Sequence, residues 1–204
     1  MLYSIGMSNT SRRQEYAAQT RAALMKEARR LFTLHGFQAT SLDQIAGEAR
    51  LTKGAIYHHF SNKTEIYAEI FEQQCVELTR LVSNASAEES DVWKRVLAQC
   101  EAFFDFSRLT ALPLVPLHEV IGVLGWTRWR EIEEKNTLAI VRDSVEALIA
   151  ADMLKTNNAG LVSSVIHATL TDAAITAGRS GNSDKVRAEA IEVVTQMIGG
   201  LLVK

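Results

Sequence analysis

Residues 52–63, which read TKGAIYHHFSNK, bring together side chains that can bind phosphate groups. Ile56 and Phe60 lie four positions apart, so they share one face of a helix and can anchor it on a supporting helix. The residues outside that face carry a hydroxyl, an amine, a phenol and an imidazole: Thr52, Lys53, Tyr57 and His58. A helix with one anchored face and one polar edge suits the major groove of DNA, where phosphate oxygens accept hydrogen bonds.

Gly54 and Lys63 fit the same interpretation. Gly54 has no side chain, so the backbone can approach a phosphate closely. Lys63, at the start of the next helix, is placed to contact the neighbouring strand. The pair His58 and His59 is a poor metal site, because adjacent helical residues point about 100° apart. We therefore predict no metal.

The elements that must position this segment are predicted to be helices. Ser41, followed by Gln44 three residues later, forms a capping-box pattern that starts a short helix. Residues 50–51 break that helix, and Thr52 starts the next one. An earlier helix ends at Gly36. Its apolar face is predicted from helical spacing: Leu24, Ala28, Leu31 and Phe32.

Helical periodicity continues along the rest of the chain, and no segment alternates as a strand would. A long helix is predicted from Ser61 or Asn62 to near Ser83. The later helices are predicted at 91–108, 126–152, 159–178 and 184–202. Pro113 and Pro116 preclude a continuous helix between the first two of these. The last two carry apolar faces broader than one side of a monomer core requires.

Composition excludes several classes of protein. The 204 residues are 47% hydrophobic and 23% charged with only two Pro, as in a helical globular protein. No apolar run is as long as a membrane span. Two cysteines, Cys75 and Cys100, with no signal-like start indicate a reducing, cytoplasmic location rather than a disulfide framework. Residues 1–17 are predicted to be a disordered leader, with Met7 as an alternative start.

Charge divides the chain into two parts. Residues 1–65 hold nine Lys and Arg against five Asp and Glu, whereas residues 66–204 hold thirteen against nineteen. A basic N-terminal third fits a protein that binds a polyanion through that part only. An excess of this size also occurs as ordinary surface scatter, so it supports the phosphate-binding interpretation without establishing it.

The stretch from about Thr20 to Glu69 resembles the DNA-binding domain of the TetR family of bacterial transcriptional regulators. The segments GFQATSLDQIA and TKGAIYHHFSNK match that family in residue type and spacing. The resemblance implies an all-α homodimer. A three-helix helix-turn-helix DNA-binding domain, residues 18–66, would be joined by a long helix to an effector-binding and dimerisation domain, residues 67–204. It also implies DNA contacts at Thr40, Ser41, Thr52, Lys53, Gly54, Tyr57, His58 and Lys63.

Arg50 departs from the family pattern, because a Gly commonly occupies this turn position. If the position requires a positive φ, Arg carries a steric penalty of about 1–2 kcal/mol relative to Gly. Its guanidinium, however, can donate to a DNA phosphate. We therefore include Arg50 among the predicted DNA contacts.

The C-terminal domain resembles a broad subset of the same family through VLGWTRWREIEEKN, residues 123–136. That resemblance implies dimerisation through the last two helices and a near-palindromic operator with half-sites about 34–36 Å apart, or a multiple of that spacing. It also implies repression that a small organic effector releases. The expected partners are double-stranded operator DNA, a second copy of the chain and the effector, without a membrane.

Several residues of the C-terminal domain are candidates for lining an effector cavity: Phe103, Phe104, Phe106, His118, Trp126, Trp129 and His167. An aromatic stripe at helical spacing is also an ordinary core, so both interpretations stay open for each of them.

Other functions were weighed against regulation by an effector. No G-x-S-x-G, H-E-x-x-H, P-loop or dinucleotide-binding motif is present, so we predict neither an enzyme nor a cofactor. Two alternatives stay open: a constitutive or protein-gated DNA-binding regulator without a small-molecule effector, and an interaction module whose basic face docks a protein. Steep salt dependence of binding would separate DNA recognition from protein docking.

Overall fold

A computed structural model describes residues 9–179 and 183–203, and these residues form nine α-helices and no strand. The all-α prediction is therefore confirmed. The helices are α1 (Asn9–Ala39), α2 (Leu42–Glu48), α3 (Lys53–Tyr57), α4 (Lys63–Ala85), α5 (Val92–Leu109), α6 (Leu117–Lys135), α7 (Thr137–Ala150), α8 (Ala159–Arg179) and α9 (Ser183–Gly199). Among these helices, none is long and apolar enough to cross a membrane.

The N-terminal boundary differs from the predicted leader over residues 1–17. Helix α1 begins at Asn9, so residues 9–17 are helical rather than disordered, while residues 1–8 lie outside the described residues. The sequence NTSRRQEYAAQTRAALMKEARR is rich in Arg, Gln, Glu and Ala, which favour helix through intrinsic propensity even without an apolar face. Intrinsic helix propensity therefore accounts for the exposed N-terminal turns of α1, which precede the residues that pack in the core of the head.

The prediction of one continuous helix over residues 126–152 is wrong, because two helices cover this range. Asn136, with φ −124° and ψ −100°, separates α6 from α7, and its buried side-chain amide donates to the Ile132 carbonyl at 2.7 Å. Such a local side-chain bond competes with the helical ladder. Helix α6 begins directly after Pro116, and Gly125 (φ 74°, ψ 160°) interrupts it, so its second part starts at Trp126.

The chain divides into two compact units. The head comprises the residues up to Phe71 together with Pro113–Leu124, and the body comprises Glu72–Leu112 and the residues from Gly125 onward. Residues 113–124 were expected in the C-terminal domain. They belong to the head, where the Arg29 guanidinium donates to the Pro113 carbonyl at 3.4 Å and the Phe37 N–H donates to the Glu119 carboxylate at 3.2 Å.

The core of the head forms between α1, α2, α3 and the first turns of α4. Leu24, Ile45, Ile56 and Ile66 are fully buried there. An aromatic cluster of Phe32, Phe37 and Tyr67 completes it, with ring centroids 5.2–5.7 Å apart. Burial raises the pKa of the Tyr67 phenol, and the nearby Glu119 carboxylate raises it further.

The core of the body joins α5, α7, α8 and α9. Its buried residues are Val96, Cys100, Phe104, Val145, Leu148, Leu154, Ile166, Leu170, Val194 and Ile198. Cys75 and Cys100 are both buried, free thiols. Burial raises the pKa of Cys100 to about 11 and raises that of Cys75 as well, so neither thiol forms a reactive thiolate near neutral pH.

Candidate nucleic-acid interface

The end of α1 sets the position of α2. Gly36 has φ 78° and ψ 170°, a conformation essentially restricted to glycine, and it turns the chain within α1. The Glu119 carboxylate accepts from the Phe37 N–H at 3.2 Å. The Lys63 ammonium donates to the Phe37 and Thr40 carbonyls at 2.7 and 2.8 Å. These contacts within the head hold the segment that leads into α2.

Helix α2 is capped at both ends by its own sequence. The Ser41 hydroxyl accepts from the Gln44 N–H at 3.1 Å, and the Gln44 side chain accepts from the Ser41 N–H at 2.8 Å, as the capping-box pattern predicts. At the other end Arg50 has φ 56°. The Leu51 and Arg50 N–H groups donate to the Ala46 and Gly47 carbonyls, which is a Schellman motif with Arg in the left-handed position.

Helix α3 presents one face to the core and leaves the other in solvent. Thr52 caps it, with its hydroxyl oxygen accepting from the Ala55 N–H at 3.3 Å. Ile56 and Phe60 are buried as anchors, whereas Tyr57 is 55% exposed and His58, which ends the helix, is also exposed. The anchored face and free edge that the spacing predicts are therefore present.

Seven of the nine predicted DNA-contact residues lie on the exposed surface of the head: Ser41, Arg50, Thr52, Lys53, Gly54, Tyr57 and His58. The Ser41 and Thr52 oxygens accept from backbone N–H groups, so each hydroxyl hydrogen is left to donate. A phosphate oxygen is an acceptor for such a donor. The two cap residues can therefore hold their helices and contact DNA at the same time.

Thr40 and Lys63 are placed differently from the other seven. Thr40 is buried, and its hydroxyl donates to the Gly36 carbonyl at 2.9 Å. The Lys63 ammonium binds carbonyls at the end of α1 and lies 4.1 Å from the centre of the Phe37 ring. Burial lowers the Lys63 pKa. In the structure these two side chains build the support for α2 rather than the exposed edge.

Lys53 has a partner that the sequence did not suggest. Its ammonium lies 2.9 Å from the Asp43 carboxylate, on the exposed surface between α2 and α3. That hydrogen bond raises the Lys53 pKa, and the carboxylate charge adds to the effect. An anion that binds the Lys53 ammonium must therefore compete with Asp43, which lies ten positions earlier in the sequence.

The body contains an apolar cavity with an empty volume of about 590 Å³, its open mouth included. Its walls come from α4, α5, α7, α8 and α9. The apolar lining residues are Leu78, Val82, Val96, Cys100, Phe103, Ile140, Val141, Val145, Leu148, Ile166, Leu170 and Ile198, and the polar ones are Gln99, Thr137, Ser144 and His167. This predominantly apolar lining with a few polar groups is typical of small-molecule sites.

Two of the seven predicted effector residues, Phe103 and His167, line this cavity. The other five do not line it: Phe104, Phe106 and Trp129 are buried elsewhere, Trp126 is 62% exposed, and His118 is exposed on the head. Phe103 and Phe104 follow each other on α5 and their rings meet edge to face, so only one of them faces the cavity. The ligand-site interpretation is therefore kept for Phe103 and His167.

Residues 24–70 match the model for bacterial regulatory proteins of the tetR family, and residues 93–201 match a tetracyclin repressor-like C-terminal domain. The second match alone spans more than half of the chain. The chain belongs to the TetR family.

Comparison with individual proteins agrees with the family assignment. The Transposon Tn10 TetC protein of Escherichia coli is 29% identical over 161 residues, which is 79% of this chain and 81% of TetC. The transcriptional activator FasR of Mycolicibacterium smegmatis is 34% identical over 88 residues, 43% of this chain and 40% of FasR. A TetR-family regulator from Pectobacterium atrosepticum shares the fold with a TM-score of 0.74 and 25% identity, over 94% of this chain and 98% of that one.

TetR-family membership makes the protein a transcriptional regulator whose helix-turn-helix is α2 and α3. Proteins of this family bind DNA and dimerise. FasR and the Pectobacterium atrosepticum protein are named as a transcriptional activator and a transcriptional regulator. The described residues hold no cluster of three or more His, Cys, Asp or Glu arranged to bind a metal.

Several polar groups beside the cavity of this TetR-family protein were not among the predicted site residues. The Glu133 carboxylate lies 2.9 Å from His167 Nε2, and Thr137 Oγ1 lies 3.2 Å from the same nitrogen. The Ser144 hydroxyl donates to the Gln99 side chain at 2.7 Å. A signal was available, because Thr137 and Ser144 are seven positions apart, on the α7 face that also carries Val141 and Leu148.

Proposed function

We propose that the protein is a homodimeric, ligand-released repressor that binds a near-palindromic operator through α3. The observation that carries this proposal is the exposed edge of α3, in which Thr52, Lys53, Tyr57 and His58 surround a short helix anchored by Ile56. Repression is typical of the family, and no catalytic motif competes with this interpretation. The edge suits a role at phosphates and base edges in the major groove.

The contributions of Lys53 and Tyr57 differ in kind. The ammonium of Lys53 is a charge that displaces a counterion when it meets a phosphate, so it contributes to the salt dependence of binding. The Tyr57 phenol is neutral and can donate one hydrogen bond. Loss of the charge should therefore change the salt slope, whereas loss of the phenol hydroxyl should change affinity alone.

The test is a fluorescence-anisotropy titration against DNA from upstream of the protein's own gene, beside a scrambled duplex, at several salt concentrations. Unmodified protein should prefer the upstream duplex. Lys53→Ala should weaken binding and reduce the log–log salt slope by about one. Tyr57→Phe should weaken binding with the slope unchanged, and Lys155→Ala, an exposed lysine of the body, should change neither property.

Three results would contradict this account of the interface. Full affinity of both Lys53→Ala and Tyr57→Phe would remove α3 from the docking surface. A complete absence of DNA binding at every salt concentration, with folded protein, would favour the protein-docking alternative. Equal, weak binding to both duplexes would contradict specific recognition of the upstream operator.

The proposed homodimer rests on apolar side chains of the last two helices. Leu161 and Val165 lie one turn apart on α8, Val193 lies on α9, and each is more than half exposed. A symmetric dimer would bury the same patch on both chains and present two copies of α3. Half-sites would then recur at about 34–36 Å or a multiple of it.

Light scattering coupled to size exclusion tests the dimer. We expect the double variant Val165→Glu, Val193→Glu to be a folded monomer, because two charges would be buried in an apolar contact. Leu34→Glu is the matched control, since Leu34 is an equally exposed apolar residue on the head. A dimeric double variant, or a monomeric control, would place the interface elsewhere.

The cavity of the body is the proposed effector site. A small, largely apolar molecule would fill it and contact Phe103 and His167. Release of DNA requires that such a ligand binds the DNA-incompetent arrangement more tightly than the competent one. An effector is therefore recognised by its reduction of DNA affinity in the anisotropy assay.

A further inference from the structure

A histidine that lines the body cavity has a ring nitrogen without a hydrogen-bond partner among the described residues. His167 lines the cavity and is 2% exposed. Its Nδ1 is buried and has no hydrogen-bond partner within the part of the chain that the structure describes. A buried polar atom without a partner is costly, and in a cavity wall a ligand can supply the missing partner.

The contacts of the other ring nitrogen, Nε2, indicate whether Nδ1 is a hydrogen-bond donor or an acceptor. Nε2 lies 2.9 Å from a Glu133 carboxylate oxygen, and Glu133 is itself buried. A carboxylate only accepts hydrogen bonds, so the imidazole hydrogen is assigned to Nε2. In the neutral ring Nδ1 is then an acceptor with a free lone pair. The complementary ligand group is an O–H or N–H donor.

The Gln99 and Ser144 side chains are occupied by hydrogen bonds to protein groups, whereas the Thr137 hydroxyl can only accept from the protonated Nε2 and keeps its own hydrogen to donate. The Ser144 hydroxyl donates to the Gln99 side-chain oxygen at 2.7 Å and lies 2.9 Å from the Ile140 carbonyl. The Gln99 amide donates to the Ser86 hydroxyl at 3.2 Å. Apart from these groups and the His167–Thr137 pair, the walls are apolar or carry the weakly polar Cys100 thiol. A matching ligand therefore has an apolar body and few polar groups.

We propose that the effector is an uncharged, apolar molecule with a single hydroxyl donor, of the class of alkylphenols and short alcohols, and that His167 Nδ1 accepts its hydrogen bond. This inference rests on the proposed function, because it names the effector class for the same cavity. An anionic ligand does not fit, since it would bring a second negative charge beside the buried Glu133 carboxylate. Glu133 acts as a positioning residue that holds the imidazole.

The test compares three ligands of similar shape by isothermal titration calorimetry with the full chain. Para-ethylphenol carries the donor, para-ethyltoluene replaces the hydroxyl with a methyl group, and para-ethylbenzoate carries a negative charge. We expect para-ethylphenol to bind about tenfold more tightly than para-ethyltoluene, which is about 1.4 kcal/mol. We expect para-ethylbenzoate to bind most weakly.

Two variants assign the preference to His167. His167→Phe should bring the affinities for para-ethylphenol and para-ethyltoluene together, because the acceptor is gone while an aromatic ring remains. Ser144→Ala, on another part of the lining, should keep the tenfold ratio. The three ligands are also compared on the unmodified protein. The proposed ligand class can therefore be tested even if His167→Phe does not fold.

Several results would overturn the inference. These are equal or tighter binding of para-ethyltoluene, tightest binding of para-ethylbenzoate, and no binding of any of the three up to its solubility limit. Calorimetry contains no DNA, so its outcome is independent of operator recognition. A separate experiment adds para-ethylphenol to the protein–DNA complex and measures whether DNA is released. A ligand that binds without releasing DNA would contradict the proposed release but not the proposed ligand class.

Discussion

The head and the body hold their polar groups in opposite ways. In the head, the groups proposed to meet DNA come from one continuous stretch, residues 41–58, and they are exposed. In the body, Glu133, Thr137 and His167 come from three different helices and are buried together. Short helices with local caps carry the first set, whereas packing of distant segments creates the second.

This difference predicts how each region responds to substitution. Removal of an exposed side chain on α3 leaves no buried group without a partner, so it should change DNA binding and leave the fold intact. Removal of one member of the Glu133–His167 pair leaves the other buried and unpaired, which is strongly destabilising. Function and stability are therefore separable in the head and coupled in the body.

The largest expected effect is on the stability of the body. We expect Glu133→Ala to lower the free energy of unfolding by about 3 kcal/mol, because the buried Nε2–H of His167 and the Cys75 thiol lose the carboxylate that accepts their hydrogen bonds. Chemical denaturation followed by circular dichroism measures the change. Glu134→Ala is the control, since this neighbouring carboxylate is exposed and pairs with Arg130 at 3.2 Å. We expect the control to change stability by no more than about 0.5 kcal/mol.

If Glu133→Ala were as stable as the unmodified protein, the pair would not be a structural element. Stability and ligand binding would then not be coupled in the body, contrary to the comparison with the head. The same variant should also lose the preference for para-ethylphenol, which a purely structural role of Glu133 would not require.

The next effect compares two glycines with almost the same backbone conformation. Gly36 in the head has φ 78° and ψ 170°, and Gly125 in the body has φ 74° and ψ 160°. Substitution by Ala should cost about 1–3 kcal/mol at either position through backbone strain. At Gly36 the new Cβ would also lie 2.9 Å from the Glu119 carboxylate, whereas nothing lies within 4 Å at Gly125.

We therefore expect Gly36→Ala to lower the thermal unfolding midpoint more than Gly125→Ala does. The additional loss reports the contact between Glu119 and the end of α1, which supports α2. Equal losses in the two variants would show that the carboxylate moves aside freely and does not hold that turn.

The fold of the head was largely predictable because its signals are local. Ser41 and Gln44 form the predicted capping box, Thr52 caps α3, and Arg50 has the positive φ that its turn position suggested. The contacts of Lys63 and the pairing of Lys53 with Asp43 were not predictable. They depend on where α1, α2 and α3 meet, and sequence spacing carries no information about that arrangement.

The body was less predictable for the same physical reason. Helical periodicity located α5, α8 and α9, but the buried Asn136 amide divides the predicted helix 126–152. Among the candidate effector residues, periodicity could not tell Phe103, which lines the cavity, from Phe104, which packs in the core. A cavity depends on the packing of several helices at once, so its lining becomes visible only in the folded chain.

A smaller effect concerns matched N-caps in the two regions. The Thr52 hydroxyl caps α3 in the head, and the Asp91 carboxylate caps α5 in the body by accepting from the Lys94 N–H at 2.9 Å. Substitution of either by Ala should lower stability by about 1 kcal/mol. Only Thr52→Ala should also weaken DNA binding in the anisotropy assay. A loss of DNA affinity in Asp91→Ala would show that the two regions are coupled more strongly than this comparison assumes.

The smallest effect uses the two non-glycine residues that have positive φ within residues 9–179 and 183–203, Arg50 in the head and Asp152 in the body, both at φ 56°. Each follows the last turn of a helix, at α2 and α7, in a Schellman motif. Glycine should stabilise Arg50 by up to about 1 kcal/mol, because its greater loss of backbone freedom on folding offsets part of the steric penalty of about 1–2 kcal/mol that it removes. The gain should be smaller at Asp152, because Asp tolerates the left-handed region better.

DNA binding then separates the two glycine variants. Arg50→Gly should be more stable than the unmodified protein and yet bind the operator more weakly, because it loses the guanidinium that we predict to contact phosphate. Asp152→Gly should bind with unchanged affinity. Arg50→Ala, which removes the guanidinium and retains the strain, should bind DNA as weakly as Arg50→Gly. If both Arg50 variants bind DNA like the unmodified protein at every salt concentration, Arg50 makes no phosphate contact, and its strained turn in the head has no more functional consequence than Asp152 in the body.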